Sequence, residues 1–135
     1  MKKLGLEPKF HQLDINDESS VLKFRDYLLN NYGGLDVLVN NAAILFPFRD
    51  GSTAEMFAEH ANTTMQTNFF DTQRACKILF PILKPHARVV NLSSMLGHLT
   101  QITGEDDTAV KLRAKLASPD LTYEELNGLM QNFVE

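Results

Sequence analysis

The sequence has little of several features that mark common protein classes. Its single cysteine, Cys76, cannot form an internal disulfide, which favours a reducing, cytoplasmic location. Lys and Arg number 13 against 17 Asp and Glu, and this basic deficit argues against a nucleic-acid partner. The longest apolar run, 78–83, contains Pro81 and is far shorter than the roughly 20 residues of a membrane span. The first five residues lack the apolar core of a signal peptide, so no membrane contact is expected.

What is present has the composition of a folded domain. The chain has 135 residues, of which 44% are hydrophobic and 22% charged, as in ordinary globular proteins. Short apolar runs alternate with stripes of helical period. The predicted strands are 9–15, 35–40 and 88–93, and the predicted helical stretches lie between Asp17 and Gly33, over 53–83 as a short helix followed by a long one, over 108–117 and over 122–134.

Capping residues and connection lengths refine this pattern. Asp17 is predicted to cap the first helix, Gly33-Gly34 to end it, and Thr122 with Glu125 to form a capping box at the last helix. The connections between the strands are too long for hairpins, so they predict crossover units and a parallel sheet of the α/β class. Ligand sites in such sheets lie at the carboxyl ends of the strands.

Small and amide-bearing residues follow all three predicted strands. Asp14 ends the first, Asn40-Asn41-Ala42-Ala43 ends the second, and Ser93-Ser94 ends the third. Taken singly, the aspartate is more often a turn or cap residue and the serine pair is ordinary loop chemistry. Their occurrence in order at three successive strand ends predicts a ligand site there.

These motifs resemble those of the short-chain dehydrogenase/reductase family. Asn-Asn-Ala-Ala at 40–43 is similar to the family's Asn-Asn-Ala-Gly, Asn68 stands at its catalytic asparagine, and Ser94, three residues before Gly97, stands at its catalytic serine. Within the family the strings YGGLDVLVNNA, RVVNLSS and YEELNGLMQNFVE resemble the cytosolic, monomeric carbonyl reductases. The resemblance implies a partial, Rossmann-like, doubly wound parallel sheet holding the family's third to fifth strands, with 98–135 as a helical insertion.

The resemblance also implies a cofactor, NADPH, and the residues that would contact it. Asp14 would accept a hydrogen bond from the adenine amino group, and Ile15 would touch the ring. Asn41, Ala42 and Ala43 would run beside the adenosine ribose, with Asn41 also bracing the sheet through its backbone. Ala43 replaces the family's glycine, and its methyl group would modestly affect the fit or exclude a positive φ.

The substrate side of the site is implied in the same way, with a small-molecule ketone, aldehyde or quinone as substrate. Ser94 would donate a hydrogen bond to the carbonyl oxygen, which gains negative charge as hydride arrives. Asn68 would hold a water of the proton relay by fixing a local distortion of its helix. Phe46 and Phe48 would either wall the substrate pocket or pack on the body of the protein.

Two family elements do not occur in these 135 residues. The seven glycines lack the spacing of a phosphate-binding turn. Tyr27, Tyr32 and Tyr123 are not followed by lysine four residues later, so the proton-donating Tyr-x-x-x-Lys is missing. We therefore expect a fragment that is inactive alone, or else a catalytically dead short form that binds or regulates a longer relative. A flavodoxin-like binding domain would explain the strand pattern but not the three motifs.

Two further expectations concern metal binding and stability. The four histidines are scattered, and none has metal-ligand spacing with Cys76, so no metal site is expected. In the family's strand order, strand 9–15 would be separated from strand 35–40 by two strands that are not in this sequence. Its backbone would then lack partners, and the isolated chain would be marginally stable and prone to aggregate.

Overall fold

The structure, a computed structural model, describes residue 5, residues 7–46 and residues 53–134 of the chain. The order of elements is helix, strand, a long helical stretch, strand and two further helices. Their bounds are α1 Glu18–Tyr32, β1 Leu35–Asn40, α2 Ala54–Met65, a π-helical segment Gln66–Asp71, α3 Thr72–Leu79, β2 Leu83–Asn91, α4 Asp107–Leu116 and α5 Tyr123–Val134. None of the described helices is both long and apolar enough to cross a bilayer.

Helix α1 begins and ends where the sequence predicts. The Asp17 carboxylate accepts the backbone N–H of Ser19 at 2.9 Å, which satisfies one of the unpaired donors of the first turn. Gly33 takes the left-handed conformation, with φ of 68°, and closes the helix through its N–H to the Leu29 carbonyl. Gly34 follows with φ of 134°, and a Cβ there would lie 2.6 Å from the carbonyl oxygen of Ile82. The turn into β1 therefore requires glycine.

The two strands form a parallel pair, as predicted. Val37 to Asn40 pair in register with Arg88 to Asn91, whereas Leu35 pairs with Leu83. Strand β2 thus carries extra residues, and within them His86 has a φ of 65°, a conformation uncommon outside glycine. This irregularity lets β2 begin five residues before the predicted strand 88–93, and it ends two residues earlier than predicted.

The core lies on one face of this sheet. It is built from Val21 and Leu28 of α1, Leu38 of β1, Ala75 and Leu79 of α3, and Ile82. Leu38 is 8% exposed, whereas its neighbours Val37 and Val39 are 50% and 52% exposed. Because side chains alternate along a strand, α1 and α3 cover one face of the sheet while the other stays open.

The predicted strand 9–15 is wrong, since residues 7–14 have no regular structure. A strand is stabilised by backbone hydrogen bonds to a neighbour, and no described strand lies beside this segment. The fold class is confirmed as an incomplete α/β fold, but with two paired strands among the described residues in place of three. The segment is held by ring contacts instead, with His11 4.4 Å from Tyr27 and 5.4 Å from Phe24 between ring centroids.

The helical predictions are confirmed with one refinement. The stretch 53–83 is helical from Ala54 to Ile82, and the π-helical segment in its middle divides it into α2 and α3. Helices α4 and α5 lie within a residue of the predicted bounds. At α5, Glu125 N–H donates to Thr122 Oγ1 at 3.2 Å, and Thr122 N–H donates to Glu125 Oε2 at 3.0 Å, which is the predicted capping box.

Candidate functional site

An open cleft of about 630 Å³ lies at the carboxyl ends of the two strands, where the sheet geometry predicts a ligand site. Its floor comes from the ends of β1 and β2, and its side comes from the π-helical segment and α3. The lining residues are Asn40, Asn41, Ala42, Ala43, Asn68, Phe69, Thr72, Gln73, Asn91, Leu92, Ser93 and Ser94. Five of the predicted site residues therefore meet here: Asn41, Ala42, Ala43, Asn68 and Ser94.

Asn68 joins the helix to the loop that follows β1. Its Nδ2 donates to the carbonyl of Ile44, and its Oδ1 accepts the N–H of Ile44, both at 2.8 Å. These two bonds satisfy both backbone polar groups of Ile44, which lies in a loop that pairs with no described strand. Asn68 is the third residue of the π-helical segment, so its helix carries a local distortion at this position.

Ser94 starts the turn that follows β2. Its Oγ accepts the N–H of Leu96 at 3.2 Å and so caps a short 3-10 turn over Met95–Gly97. A hydroxyl that accepts one hydrogen bond keeps its own proton for donation. A Cβ at Gly97 would lie 3.0 Å from Ser93 Oγ, so the turn packs closely against the preceding serine. Ser94 is therefore set at the cleft with a donor to offer.

The two strand ends are tied together by a pair of asparagines that the sequence analysis missed. Asn40 Nδ2 donates to Asn91 Oδ1 at 2.8 Å and also lies 3.2 Å from Cys76 Sγ. The backbone adds a bond from Leu92 N–H to the Asn40 carbonyl at 3.0 Å. The signal that could have revealed the pair is an asparagine at the last position of both β1 and β2.

Cys76 packs beside the core, as its place on the apolar stripe of α3 predicts, although it is half-buried rather than fully buried. Burial raises the pKa of its thiol, and the hydrogen bond from Asn40 opposes this only in part. The thiol is thus kept protonated near neutral pH.

Asp14 and Ile15 lie apart from the residues that line the cleft. The Asp14 carboxylate accepts the N–H of Asn16 at 2.9 Å, and its own N–H donates to Ser20 Oγ at 2.9 Å. Asp14 is exposed, whereas Ile15 packs against the core. The bonds of Asp14 form a turn that leads into α1, which fits the alternative interpretation of an aspartate at this place.

The remaining predicted residues have separate outcomes. Ala43 does not have a positive φ, so its methyl group does not strain the backbone. Phe46 stacks on His60 of α2 with ring centroids 4.1 Å apart and planes 4° apart, and it is absent from the cleft lining. Packing on the body of the protein is thus the interpretation that fits Phe46. Phe48 lies outside the described residues.

Within residues 7–46 and 53–134, no three His, Cys, Asp or Glu side chains lie close enough together to hold a metal ion.

Comparison with known proteins identifies the family. A family model described as enoyl-(acyl carrier protein) reductase matches residues 1–116. Together with the fold and the motifs at the strand ends, this match shows that the chain belongs to the short-chain dehydrogenase/reductase family of oxidoreductases. The resemblance expected from the motifs is confirmed.

The similar relatives are carbonyl reductases. The chain is 48% identical over 131 residues to carbonyl reductase (NADPH) 1 of Mus musculus, 47% to that of Homo sapiens and 45% to carbonyl reductase (NADPH) 3 of Mus musculus. Each match covers 97% of this chain but 45% of the relative, so the chain spans less than half the length of these proteins.

Solved structures agree on the fold. Menthone neomenthol reductase from Mentha piperita has a TM-score of 0.74 and 26% identity over 92% of this chain and 53% of its own. A short-chain dehydrogenase from Burkholderia cenocepacia in complex with NADP has a TM-score of 0.56 and 23% identity over 98% of this chain and 48% of its own.

Proposed function

We propose that this chain is the central part of an NADPH-dependent carbonyl reductase that transfers hydride to ketones, aldehydes or quinones. The observation that supports it is the cleft at the ends of β1 and β2, in which Asn41, Ala42, Ala43, Asn68 and Ser94 meet. The relatives at 45–48% identity are named for this activity and for NADPH.

The residues of the cleft fit part of the cofactor. Ala42, Ala43 and Ser93 are small, so a ribose and a flat ring can approach the backbone closely between them. Asp14 and Ile15 would contact the adenine from the turn before α1. Bound NADPH would supply the hydride, but these 135 residues contain no glycine-rich turn for its phosphates. The chain thus provides one side of a cofactor site.

Two side chains would serve the reaction itself. Ser94 would donate a hydrogen bond from its hydroxyl to the carbonyl oxygen of the substrate, because the charge that develops there is stabilised by a donor already in place. Asn68, held by Ile44, would orient a water in the path of the proton. No residue of this chain takes the place of the family's tyrosine and lysine, so we expect no turnover by these residues alone.

The wider setting of the protein is part of the same proposal. We infer a cytoplasmic protein that acts as a monomer on a small-molecule substrate, with residues 1–135 as part of one Rossmann-like domain. Residues 98–135 would form a helical insertion between the catalytic serine and the tyrosine. The support is that α4 and α5 come after the Ser94 turn along the chain and that α5 packs on α2.

A second candidate is a catalytically dead short form that binds a longer relative. The observation that favours it is the half-exposed apolar face of β1, which carries Val37 and Val39. An exposed patch of this kind can mark an interaction surface. The two candidates differ in whether the native protein contains a Tyr-x-x-x-Lys sequence after these residues. Mapping the ends of the native transcript distinguishes them.

The test of catalysis is Ser94→Ala in the protein at its native length. We expect kcat/KM for a reactive quinone to fall by about 10²–10³, since one transition-state donor is removed. NADPH oxidation is followed by absorbance, and Ser118→Ala serves as the control because its hydroxyl caps a turn between α4 and α5. Equal activities of Ser94→Ala and the unmodified protein would refute the role of Ser94. A native product of 135 residues with no turnover would favour the second candidate.

A further inference from the structure

Asp71, at the end of the π-helical segment, is a buried carboxylate that is 2% exposed. Its Oδ1 accepts Gln66 Nε2 at 2.8 Å and Arg74 Nη1 at 2.9 Å, and its Oδ2 accepts Asn16 Nδ2 at 2.9 Å. A buried carboxylate is costly unless it is paired and hydrogen-bonded, and here three donors from three residues meet it. The sequence motifs do not account for this group.

One set of these bonds holds the turn that precedes α1. The two amide hydrogens of Asn16 are shared between Asp71 and Thr67 Oγ1, the latter at 2.8 Å. Arg74 Nη2 donates to the carbonyl of Ile15 at 2.9 Å and to that of Asn16 at 3.0 Å. The turn is therefore held both through the backbone carbonyls of Ile15 and Asn16 and through the Asn16 side chain.

The other bonds fix the π-helical segment itself. Gln66 is its first residue and Asp71 its last, so the bond between their side chains spans the segment. Asn68 lies between them, lines the cleft, and is hydrogen-bonded to Ile44 in the loop after β1. A π-helical turn is a less stable geometry than the α-helix around it, and it persists where its surroundings hold it.

We propose that Asp71 is a positioning residue, which locks the turn 14–17 to the segment that carries Asn68. Asp71 touches neither cleft nor substrate, so it acts through Asn16, Gln66 and Arg74. The functional consequence rests on the proposed function: the lock holds the adenine side of the NADPH site and the Asn68 side in one fixed relation.

The test is Asp71→Asn in the protein at its native length, with Asp107→Asn as the matched control. Asparagine has the same shape, but its NH₂ group must face a donor: Asn16 in one orientation, or Gln66 and Arg74 in the other. Asp107 loses the same charge from a solvent-exposed i,i+4 pair with Lys111. We expect amide hydrogen exchange in 14–17 and 66–71 to accelerate at least tenfold in Asp71→Asn, and to stay unchanged in the control.

The kinetic readout separates positioning from plain destabilisation. We expect KM for NADPH to rise at least fivefold in Asp71→Asn while KM for the quinone stays within twofold, because the adenine-side turn loosens. Loss of folded protein would lower the apparent kcat and leave KM unchanged. The double variant Asn16→Asp/Asp71→Asn exchanges donor and acceptor, and it should restore both the exchange rates and KM.

The outcomes distinguish this proposal from the proposed function. If Asp71→Asn fails to fold, Asn16→Ala removes the same link from an exposed residue and should accelerate exchange in 14–17. Exchange within twofold of the unmodified protein in the variant that folds would overturn the lock. Faster exchange with an unchanged KM for NADPH would overturn its role in cofactor binding. An unmodified protein that does not bind NADPH would overturn the proposed function, while the exchange data would still decide the lock.

Discussion

The two faces of the β1–β2 sheet are made from similar residues but meet different surroundings. Leu38 points to α1 and α3 and is 8% exposed, whereas Val37 and Val39, its neighbours on β1, are about half exposed. The sequence LDVLVN predicts a strand buried on both faces, as in parallel sheets. The burial of a strand thus depends on the helices that cover each face, and the described residues supply helices to one face only.

The largest expected difference between the covered and the open face is seen by truncating one valine on each side. Val21 of α1 is fully buried, and Val39 of β1 is 52% exposed. We expect Val21→Ala to lower the free energy of unfolding by about 2–3 kcal/mol, because it removes buried methyl groups and leaves a cavity. Val39→Ala should cost less than about 1 kcal/mol. Urea titrations of both variants give the values, and equal losses would show that both faces are buried.

The open face should also decide how the chain associates. We expect the double variant Val37→Thr/Val39→Thr to stay monomeric up to a concentration several-fold higher than the unmodified 135-residue chain does. Threonine keeps the strand propensity of valine and reduces the apolar surface. Light scattering against concentration measures this. The control is Val21→Thr, which alters the covered face and should instead promote unfolding. A monomeric, cooperatively melting unmodified chain at high concentration would contradict the expected aggregation.

The smallest effect concerns pH and the helix that covers the buried face. Hydrogen bonds from the side chain and the backbone of Ser19 lower the pKa of Asp17. The stabilisation from this cap is therefore present above the ordinary aspartate pKa of about 4 and is lost as pH falls through the lowered value. We expect Asp17→Asn, which caps without titrating, to weaken the loss of stability below pH 4.

Urea midpoints measured at pH 6 and at acid pH test this, with Asp26→Asn as the control, because Asp26 is an exposed aspartate within α1 that pairs with half-buried Arg25. Acid sensitivity that is the same in Asp17→Asn and in the unmodified chain would rule out the cap as its source.

Much of the fold could be predicted because local chemistry determines it. Asp17, Gly33, Thr122 and Glu125 act on backbone groups within a few residues, so helix ends follow from neighbouring sequence alone. The placement of Asn41 and Ser94 at one cleft followed from strand ends meeting at one edge of a parallel sheet, whereas Asn68, on a helix, was expected there from the family resemblance. Their chemical roles stay predictions.

Other features could not be predicted because they join distant residues. The bond from Asn16 to Asp71 spans 55 positions, and that from Asn40 to Asn91 spans 51. Nothing in the local sequence links Asn16 to Asp71, and an asparagine at the end of each strand indicates a pair only when the register of the two strands is known. The cross-strand asparagines depend on the register of β1 and β2, and that register depends on extra residues around His86.

The sequence by itself determined the helices, the strand β1, the motifs at its end and the family. Those features rest on capping, periodicity and residue spacing, which act over short distances along the chain. Only the tertiary structure decided that 9–15 is not a strand, that the helix distortion implied at Asn68 is a π-helical segment over Gln66–Asp71, and that Asp71 is buried in a cluster of donors. A strand needs a partner and a buried charge needs its donors, and both are provided by residues far away in the sequence.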